Sequence, residues 1–198
     1  MTLQAYYGEA PPHLQQVMQD LLDVIKEYPV RETLDSVNPI LYCKSRIKEP
    51  QSMIRKLKSK GLPTDSQTAL TKTHDAAGIR VVCSFLDDVY AVSQWLHTKD
   101  TFAVIAEKDY IAYPKPNGYR SLHLIAAVPN GPEKGIQAEI QPRTIAIDFW
   151  AALEHQIKYK RHINYEKTIR DELKRRADEI ASVDVSMQTI RDILQNNG

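Results

Sequence analysis

The sequence contains little glycine, and its glycines form no phosphate-binding loop. Seven glycines occur among 198 residues, and none belongs to a G-x-x-x-x-G-K-S/T or G-x-G-x-x-G pattern. The backbone amides of such a loop therefore hold no phosphate here. If the chain binds a phosphorylated ligand, side chains must supply the contacts.

Long apolar runs and cysteines are also scarce. No run of eighteen apolar residues occurs, and the polar first ten residues lack the apolar core of a secretory signal, so we expect no membrane partner. Cys43 and Cys83, the two cysteines, stand in apolar surroundings without metal-ligand spacing. That setting favours buried free thiols in a reducing compartment and predicts a cytoplasmic protein.

An excess of charge of one sign is missing as well. The net charge of +1 argues against a dedicated duplex-DNA binder, although it leaves room for a local basic cleft. The apolar fraction of 42% is that of an ordinary soluble protein. A chain of 198 residues suits one well-cored domain and is short for two, so we expect a single domain over residues 1–198.

Apolar periodicity predicts an α/β (α+β) domain in which helices flank a sheet. Helical spacing is found over His13 to Tyr28, Pro50 to Gly61, the segment after Asp88, Ile145 to Tyr159 and Glu166 to Gln195. Strands are expected over Ile40 to Lys48, Ile79 to Phe85 and Phe102 to Asp109, and a loop or short helix over Thr64 to His74. The fold therefore has an N-terminal helix and a long C-terminal helix.

Three helical features carry more specific expectations. Asp87 and Asp88 stand at a helix start, where capping is favoured over metal binding. The apolar stripe of the last helix is expected to pack on the domain or on another subunit. The helix after Arg143 is expected to turn these residues inward: Ile145, Phe149, Ala152, Leu153 and Ile157.

The stretch from Tyr113 to Arg143 predicts a β-hairpin with a polar face. Its K-P-N-G turn precedes an alternating run, a second turn and another short run. Strand alternation places His123 opposite Leu122 and Leu124 in the first run. In the second run it places Gln137, Glu139 and Gln141 opposite Ala138 and Ile140. A face with an imidazole, a carboxylate and amides is a better candidate for a site than for a core.

Cations stand ahead of this hairpin in a pattern that suits an anion. Lys44, Arg46 and Lys48 share one side of a predicted strand, and Ser52 and Lys56 share one side of the following helix. They could converge on one anion, or they could form only a solvated basic face. Arg80 lies inside a largely buried strand, where a guanidinium needs a carboxylate or a phosphate beside it.

Two carboxylates, Asp75 and Glu139, fall at the end or on the face of predicted strands. With Mg²⁺ on the carboxylates and cations around them, this inventory suits phosphoryl or nucleotidyl transfer. The cations in question are Arg46, Lys48, Lys56, Arg80, Lys115 and Arg143. Tyr119 offers a flat face for a base, and Asp148 could accept the N1–H and N2–H donors of guanine.

Each of these residues also has a purely structural interpretation. Tyr119 could be a packed turn aromatic, and His123 a strand histidine that donates to backbone. Asp148 could be a helix-surface acid and Glu139 an exposed strand acid, although the polar neighbours of Glu139 disfavour the latter.

Four motifs, in this order, resemble those of the RelA/SpoT-type alarmone synthetase domain. They span Arg46 to Lys48, Asp75 to Arg80, Lys115 to His123 and Glu139 to Thr144. The run from Asp148 to His155 is similar to the small, single-domain bacterial members. The resemblance covers roughly residues 38–160, and the PKPNGYRSLH string alone is highly specific.

The resemblance implies a nucleotidyltransferase-like mixed β-sheet with flanking helices. It also implies a GTP pyrophosphokinase of the stringent response, which transfers the β,γ-pyrophosphate of ATP to the 3′-hydroxyl of GDP or GTP. The products are (p)ppGpp and AMP, and Mg²⁺ is required. Similarity to the small members favours a homotetramer, with a catalytic core over about 38–160 and a helical oligomerisation region over about 161–198.

The resemblance also assigns roles by position. On the ATP side, Arg46 and Arg80 match the arginines that bracket adenine, and Lys48, Ser52 and Lys56 match the phosphate-side group. Asp75 is similar to the metal-binding aspartate, and Glu139 to the carboxylate that binds metal or activates the hydroxyl. On the acceptor side, Tyr119 matches the tyrosine stacked on guanine, with Lys115, His123, Gln141 and Asp148 around the nucleotide.

The chain departs from the family pattern at three places. His74 stands where the family commonly has an apolar residue, and Pro142, which replaces an aliphatic one, is expected to end its strand early. Residues 40–45 lack a threonine-glycine pair that some small members carry. Activation by an allosteric nucleotide is therefore not assumed, and nothing in the sequence supports an RNA partner.

Two alternatives to a synthetase were considered. A metal-dependent phosphohydrolase is suggested by the His74-Asp75 pair, but such sites need further ligands, and upstream only His13 is available. We therefore expect no hydrolase activity. A non-catalytic nucleotide-binding or RNA-binding module could use the same basic cleft, but it would gain little from two acids beside phosphates.

Overall fold

A computed structural model describes residues 1–29, 38–159 and 166–196. Within them the chain forms a mixed α/β domain, which confirms the predicted fold class. The helices are α1 (Leu3–Tyr7), α2 (Ala10–Lys26), α3 (Pro50–Ser59), α4 (Ser66–Lys72), α5 (Leu86–Leu96), α6 (Ile145–Tyr159) and α7 (Glu166–Asn196). The strands are β1 (Ile40–Ile47), β2 (Ala77–Cys83), β3 (Ala103–Asp109), β4 (Leu122–Ala127) and β5 (Gln137–Thr144).

The five strands form one sheet in the order β1-β2-β5-β4-β3. The central pair, β2 and β5, is parallel, and its register sets Gly78 beside Glu139 and Arg80 beside Gln141. The other three pairings are antiparallel. Because neighbours in register point to the same face, the polar residues of β2 and β5 share one side of the sheet.

The opposite face of the sheet carries the core. Helices α2 and α5 both contact the sheet and bury their apolar stripes in one cluster with it. The strands contribute the residues of the other alternation, which include Ile79, Val81, Leu124 and Ile140, each at most 2% exposed. This burial drives the fold and leaves the polar face of the sheet available for a site.

The predicted β-hairpin is confirmed. Strands β4 and β5 pair with Ile125 opposite Glu139. In the turn, the amide of Val128 donates to the carbonyl of Ile136 at 3.1 Å, and the amide of Gly135 donates to the carbonyl of Val128 at 2.9 Å.

The expectation that Pro142 ends its strand early is wrong. Strand β5 continues to Thr144, with Pro142 paired in register with Val81 of β2. The carbonyl of Pro142 accepts a hydrogen bond from the Ser121 hydroxyl at 3.1 Å. The N and C=O of one residue point to the same edge of an extended strand, so the missing N–H lies on the β4 side. The ladder with β2 therefore needs no donor from Pro142.

The inward face predicted for α6 is also wrong. Ile145, Phe149, Leu153 and Ile157 are 50%, 58%, 41% and 37% exposed. The helix instead buries Ile147, Asp148 and Trp150. Helical periodicity identifies an apolar stripe, but it does not specify which surface covers that stripe.

Other local expectations agree with the structure. Asp88 accepts a hydrogen bond from the amide of Phe85 at 3.2 Å and so caps α5, whereas Asp87 forms an ion pair with Arg191 at 2.6 Å. Cys43 and Cys83 are free thiols. Thr64 to His74 contains a short helix, α4. No helix in the described part of the chain is both long and apolar enough to cross a membrane.

Helix α7 packs on the turn that precedes β4. Trp150 Nε1 donates to the carbonyl of Leu173 at 3.0 Å, and Arg120 Nη2 donates to Asp178 at 2.9 Å. Gly118 has a φ of +85° and lies so close to α7 that an added Cβ would approach the Cβ of Ala177 to 2.7 Å. The turn therefore requires glycine on two grounds.

Replacing Gly118 by alanine is expected to lower the free energy of unfolding by about 2 kcal/mol or more, from backbone strain plus overpacking. Urea unfolding measures it. Gly131→Ala is the matched control, because Gly131 has the same φ but open space around it. Equal losses in the two variants would contradict the packing role of Gly118.

Asp184 gives a pH-dependent prediction on the same helix. Its carboxylate is 6% exposed and accepts the Thr144 hydroxyl at 2.5 Å, and burial raises its pKa. A raised pKa in the folded state stabilises at low pH and costs stability once the carboxylate ionises. Asp184→Asn keeps an acceptor and removes that charge, so we expect a higher Tm at neutral pH and no gain below about pH 4.

Asp178→Asn provides the contrast for Asp184. Hydrogen bonds from Arg120 and Lys174 lower the pKa of Asp178, so its loss is expected to decrease Tm at neutral pH. Thermal melts at both pH values measure the two effects. A neutral-pH Tm of Asp184→Asn below that of the unmodified protein would contradict the prediction.

Candidate active site

A cavity of about 410 Å³ opens on the polar face of the sheet, where β1, β2 and β5 lie side by side. Its volume lies in the range of about 300 to 1,000 Å³ that is usual for small-molecule sites. The lining residues are Lys44, Ser45, Arg46, Lys48, Asp75, Gly78, Ile79, Arg80, Glu139 and Gln141. Four cationic side chains thus surround two carboxylates, which gives the cavity an excess of positive charge.

Asp75 lies just before β2 and is held by two lysines. Lys48 Nζ, at the end of β1, is 2.9 Å from Oδ2, and Lys56 Nζ, on α3, is 2.6 Å from Oδ1. Burial alone would raise the pKa of Asp75, but the two ammonium groups outweigh it and lower the pKa to about 2. Asp75 is therefore ionised at neutral pH, and the lysines beside it are placed to contact other anions.

Glu139, in the middle of β5, has both carboxylate oxygens engaged. Oε1 is 2.8 Å from His123 Nδ1, and Oε2 accepts a hydrogen bond from Gln141 Nε2 at 2.6 Å. Burial and the charge of Asp75 act to raise the pKa of Glu139, yet the contacts with His123 and Gln141 lower it overall. Glu139 is thus an oriented, ionised carboxylate.

Tyr119 lies next to His123, on the side of Glu139 away from Gln141 Nε2. Its hydroxyl is 2.9 Å from His123 Nε2, and burial raises the pKa of the phenol, so the hydroxyl keeps its proton. Lys115 Nζ lies over two aromatic rings, 4.3 Å from the Tyr110 centroid and 4.9 Å from that of Tyr119. An aromatic face and an ammonium group therefore lie together beside the cavity.

The sequence suggested that Arg143 is a phosphate-binding cation. The structure does not place Arg143 in the lining of the cavity. It is 1% exposed and lies beneath the polar face, with Nη2 donating to the Tyr119 hydroxyl at 3.0 Å and to Gln141 Oε1 at 2.6 Å. Residues 139, 141 and 143 alternate onto one side of β5, but β5 leads into α6, and the last of them is covered.

Asp148, at the start of α6, is the carboxylate that the Arg80 guanidinium requires. Its Oδ1 is 3.0 Å from Arg80 Nη1 and 3.6 Å from Arg143 Nη1, and its Oδ2 accepts the Tyr42 hydroxyl at 3.0 Å. Asp148 is 5% exposed, so it is not a helix-surface acid. Recognition of guanine by Asp148 would require it to exchange one of these partners.

The structure brings nearly all of the sequence-predicted site residues together. Six line the cavity itself: Arg46, Lys48, Asp75, Arg80, Glu139 and Gln141. Lys56, His123 and Asp148 contact members of that group directly. Tyr119 is joined to it through His123, and Lys115 lies over the Tyr119 ring. Ser52 lies on α3 one turn before Lys56, and its hydroxyl accepts a 3.4 Å hydrogen bond from Arg55.

Tyr42 was missed at the sequence level, and Arg143 was assigned the wrong role. Tyr42 alternates on β1 with Lys44 and Arg46, and strand alternation could have identified it. No local pattern in the sequence indicates the structural role of Arg143, because burial of the end of β5 depends on the direction in which α6 leaves the sheet.

The donor set of the cavity fits a divalent cation. Asp75 Oδ1 is buried without a hydrogen bond, because its 2.6 Å contact with Lys56 is an ion pair without hydrogen-bond geometry. In the described segments no three His, Cys, Asp or Glu side chains gather around one point, and the carboxylates that line the cavity are Asp75 and Glu139. Mg²⁺ commonly takes one or two carboxylates and completes its shell with phosphate oxygens and water.

Comparisons with known proteins agree with this geometry. The family model described as "Region found in RelA / SpoT proteins" matches residues 45–164. The chain is 43% identical over 157 residues to GTP pyrophosphokinase YwaC from Bacillus subtilis, with 78% of this chain and 75% of that protein covered. The chain thus contains the domain that RelA and SpoT proteins share.

Solved structures give the same result. The small alarmone synthetase 1 from Bacillus subtilis, bound to its product pppGpp, matches with a TM-score of 0.81 at 32% identity, covering 92% of this chain and 94% of that one. The same synthetase bound to AMPCPP matches with a TM-score of 0.72 at 27% identity, covering 94% and 97%. The chain belongs to the RelA/SpoT family, and its fold is that of the small alarmone synthetases.

Proposed function

We propose that this protein is a GTP pyrophosphokinase that transfers the β,γ-pyrophosphate of ATP to the 3′-hydroxyl of GDP or GTP, forming (p)ppGpp and AMP. The observation that carries the proposal is that Asp75 and Glu139 line one cavity together with four cations. A GTP pyrophosphokinase among its relatives and a small alarmone synthetase solved with pppGpp support it.

Lys48 and Lys56 prepare the donor side of the site for a polyphosphate. Both ammonium groups contact Asp75, and they are placed to contact phosphate oxygens when ATP enters. Positive charge at fixed positions stabilises the charge that develops on a transferring phosphoryl group. Arg46 on β1 pairs with Gly78, and Arg80 on β2 pairs with Lys44, so both arginines line the cavity from neighbouring strands. We assign these two arginines to adenine and Ser52 to the phosphate side.

Glu139 is the group that we assign to the acceptor hydroxyl. An ionised carboxylate can accept the proton of the 3′-hydroxyl as that oxygen attacks phosphorus. His123 and Gln141 hold the carboxylate in one orientation, which reduces the reorganisation needed at the moment of transfer. Asp75 and Glu139 would hold Mg²⁺, which would offset the charge of the phosphates when bound.

The acceptor nucleotide is assigned to the side of the cavity where Tyr119 lies. The Tyr119 ring offers a stacking surface for guanine, and Lys115 and His123 adjoin it. Gln141 links that side to Glu139. Asp148 would bind the guanine edge after giving up Arg80 or Tyr42.

The C-terminal helices are assigned to assembly, and we propose a homotetramer with a catalytic core over 38–160 and an oligomerisation region over 161–198. Residues 160–165 and 197–198 of these ranges lie outside the described residues. Exposed apolar side chains support the assignment, because a surface with many large exposed apolar side chains indicates an interface with another protein. They include Phe149 and Leu153 on α6 and Val185, Met187, Ile190 and Leu194 on α7.

The free thiols and the nucleotide substrates favour a cytoplasmic location and a role in the stringent response.

The test of the function is a product assay. Purified protein with ATP, Mg²⁺ and either GDP or GTP should release AMP and form a 3′-pyrophosphorylated guanosine nucleotide, resolved by chromatography. Absence of both products with either acceptor would overturn the proposal.

A further inference from the structure

Arg143 is a charged side chain in a fully buried position. It is 1% exposed, and its Nε is buried without a hydrogen-bond partner. Its nearest carboxylate, Asp148, is 3.6 Å from Nη1 and lies closer to Arg80, at 3.0 Å. Burying a guanidinium that is only partly compensated costs stability, and an apolar side chain of similar length would avoid that cost. A role in the neighbouring site is therefore favoured over a role in stability.

Two branches of hydrogen bonds start at Arg143 and meet at Glu139, so that they form a closed ring. One branch runs from Arg143 Nη2 to the Tyr119 hydroxyl at 3.0 Å, on to His123 Nε2 at 2.9 Å, and from His123 Nδ1 to Glu139 Oε1 at 2.8 Å. The other runs from Arg143 Nη2 to Gln141 Oε1 at 2.6 Å and from Gln141 Nε2 to Glu139 Oε2 at 2.6 Å.

The directions of these hydrogen bonds follow from the chemistry of arginine. A guanidinium only donates, so the Tyr119 oxygen accepts from Arg143 and its one proton goes to His123 Nε2. With Nε2 accepting from Tyr119, Nδ1–H is left to donate to Glu139. The same guanidinium takes the Gln141 carbonyl, so the Gln141 amide nitrogen faces Glu139. Both carboxylate oxygens are thus oriented from one buried group.

We propose that Arg143 is a positioning residue for the transfer reaction: acting through Tyr119 and Gln141, it fixes the His123 tautomer and the orientation of Glu139. The inference rests on the proposed function and adds a buried residue to it. Arg143 contacts neither Lys48 nor Lys56, and Arg80 keeps its own closer contact with Asp148, 3.0 Å against 3.6 Å, when Arg143 is changed. We therefore expect little effect on the ATP side.

Arg143→Lys tests the proposal, because it keeps the charge and removes the forked donor geometry. We expect kcat to fall by about 10- to 100-fold, the loss that corresponds to one or two charge-assisted hydrogen bonds, while KM for ATP stays within about twofold. Arg191→Lys is the matched control. Arg191 makes a forked contact with Asp87 far from the cavity, and its substitution should leave kcat within about twofold.

Tyr119→Phe supplies a second, milder variant that keeps the stacking ring and removes only the hydroxyl. We expect kcat to fall about tenfold, with KM for the acceptor within about twofold. The double variant should be no more than about twofold slower than Arg143→Lys, because both changes break the same branch. A merely structural role of Arg143 would give independent, multiplying effects.

Three results would overturn the role of Arg143: a normal kcat in Arg143→Lys, an increase in KM for ATP that matches the loss in kcat, or multiplying effects in the double variant. If Arg143→Lys does not fold, Tyr119→Phe decides alone, and a normal kcat there overturns the proposal. Failure of the unmodified protein to form product overturns the proposed function, whereas normal rates in the unmodified protein and all variants overturn only the role of Arg143.

Discussion

Glu139→Gln is expected to reduce product formation by about a thousandfold or more while ATP binding remains measurable. Glutamine has the shape of glutamate but cannot accept a proton from the 3′-hydroxyl, and a neutral amide is a poor ligand for a divalent cation. Removal of a positioned base commonly costs about a hundred- to ten-thousandfold in rate. Chromatography of the products measures turnover, and calorimetric titration with ATP measures binding.

A matched control for Glu139 exists on the other face of the sheet. Glu107 on β3 also accepts from a histidine, with its Oε2 2.9 Å from His97 Nε2, and it lies in register with the core residue Leu124. Glu107→Gln should therefore leave the rate unchanged. Full turnover in Glu139→Gln, or an equal loss in both variants, would rule out the role assigned to Glu139.

Tyr119→Ala is expected to raise KM for GDP or GTP by about 10- to 100-fold and to change KM for ATP by less than about threefold. Stacking of a base on an aromatic ring contributes about 1 to 3 kcal/mol, which corresponds to this range. Loss of the ring also removes the surface over which Lys115 lies, 4.9 Å from the centroid. Initial rates with each substrate varied in turn give both constants.

Tyr113→Ala controls for the removal of an aromatic side chain from the same connection. Tyr113 is 79% exposed, so its substitution should leave both constants unchanged. If Tyr119→Ala raised the constants for ATP and for the acceptor equally, Tyr119 would be a packing residue of the turn, and the stacking role would be abandoned.

The sheet could be predicted from the sequence because local signals there agree with the global fold. Alternation over β4 and β5 and the turn between them identified a polar face and an apolar face, and the structure buries Leu124 and Ile140 as expected. What the sequence could not give is the strand order. The parallel pairing of β2 with β5 joins residues about sixty positions apart, and no local pattern specifies such a contact.

The site could be predicted only as a set of residues. Asp75 and Glu139 were identified by residue type and position, whereas the pairing of Asp75 with Lys48 and Lys56 follows from how α3 packs beside the end of β1. The engagement of Asp148 by Arg80 likewise depends on the direction in which α6 leaves the sheet. Such contacts between distant segments are set by tertiary packing rather than by local sequence.

The error on α6 has a related cause. An apolar stripe at helical spacing predicts a packing surface for the helix. Phe149, at 58% exposed, shows that the stripe of α6 does not pack on the body of this domain. A buried carboxylate, Asp148, takes the inner side instead because it meets two guanidinium groups there. Ile147 and Trp150 are buried on that side as well, so a buried ion pair and two apolar side chains together face the domain.

The turn that contains Gly118 lies so close to α7 that no space separates them. A Cβ added at Gly118 would lie 2.7 Å from the Cβ of Ala177 and 3.1 Å from the Cα of Lys174, and Arg120 forms an ion pair with Asp178 on the same helix. A shift of α7 toward the turn would therefore displace Gly118, the residue that precedes Tyr119. Through Gly118, the helix assigned to assembly and the ring assigned to guanine are expected to move together.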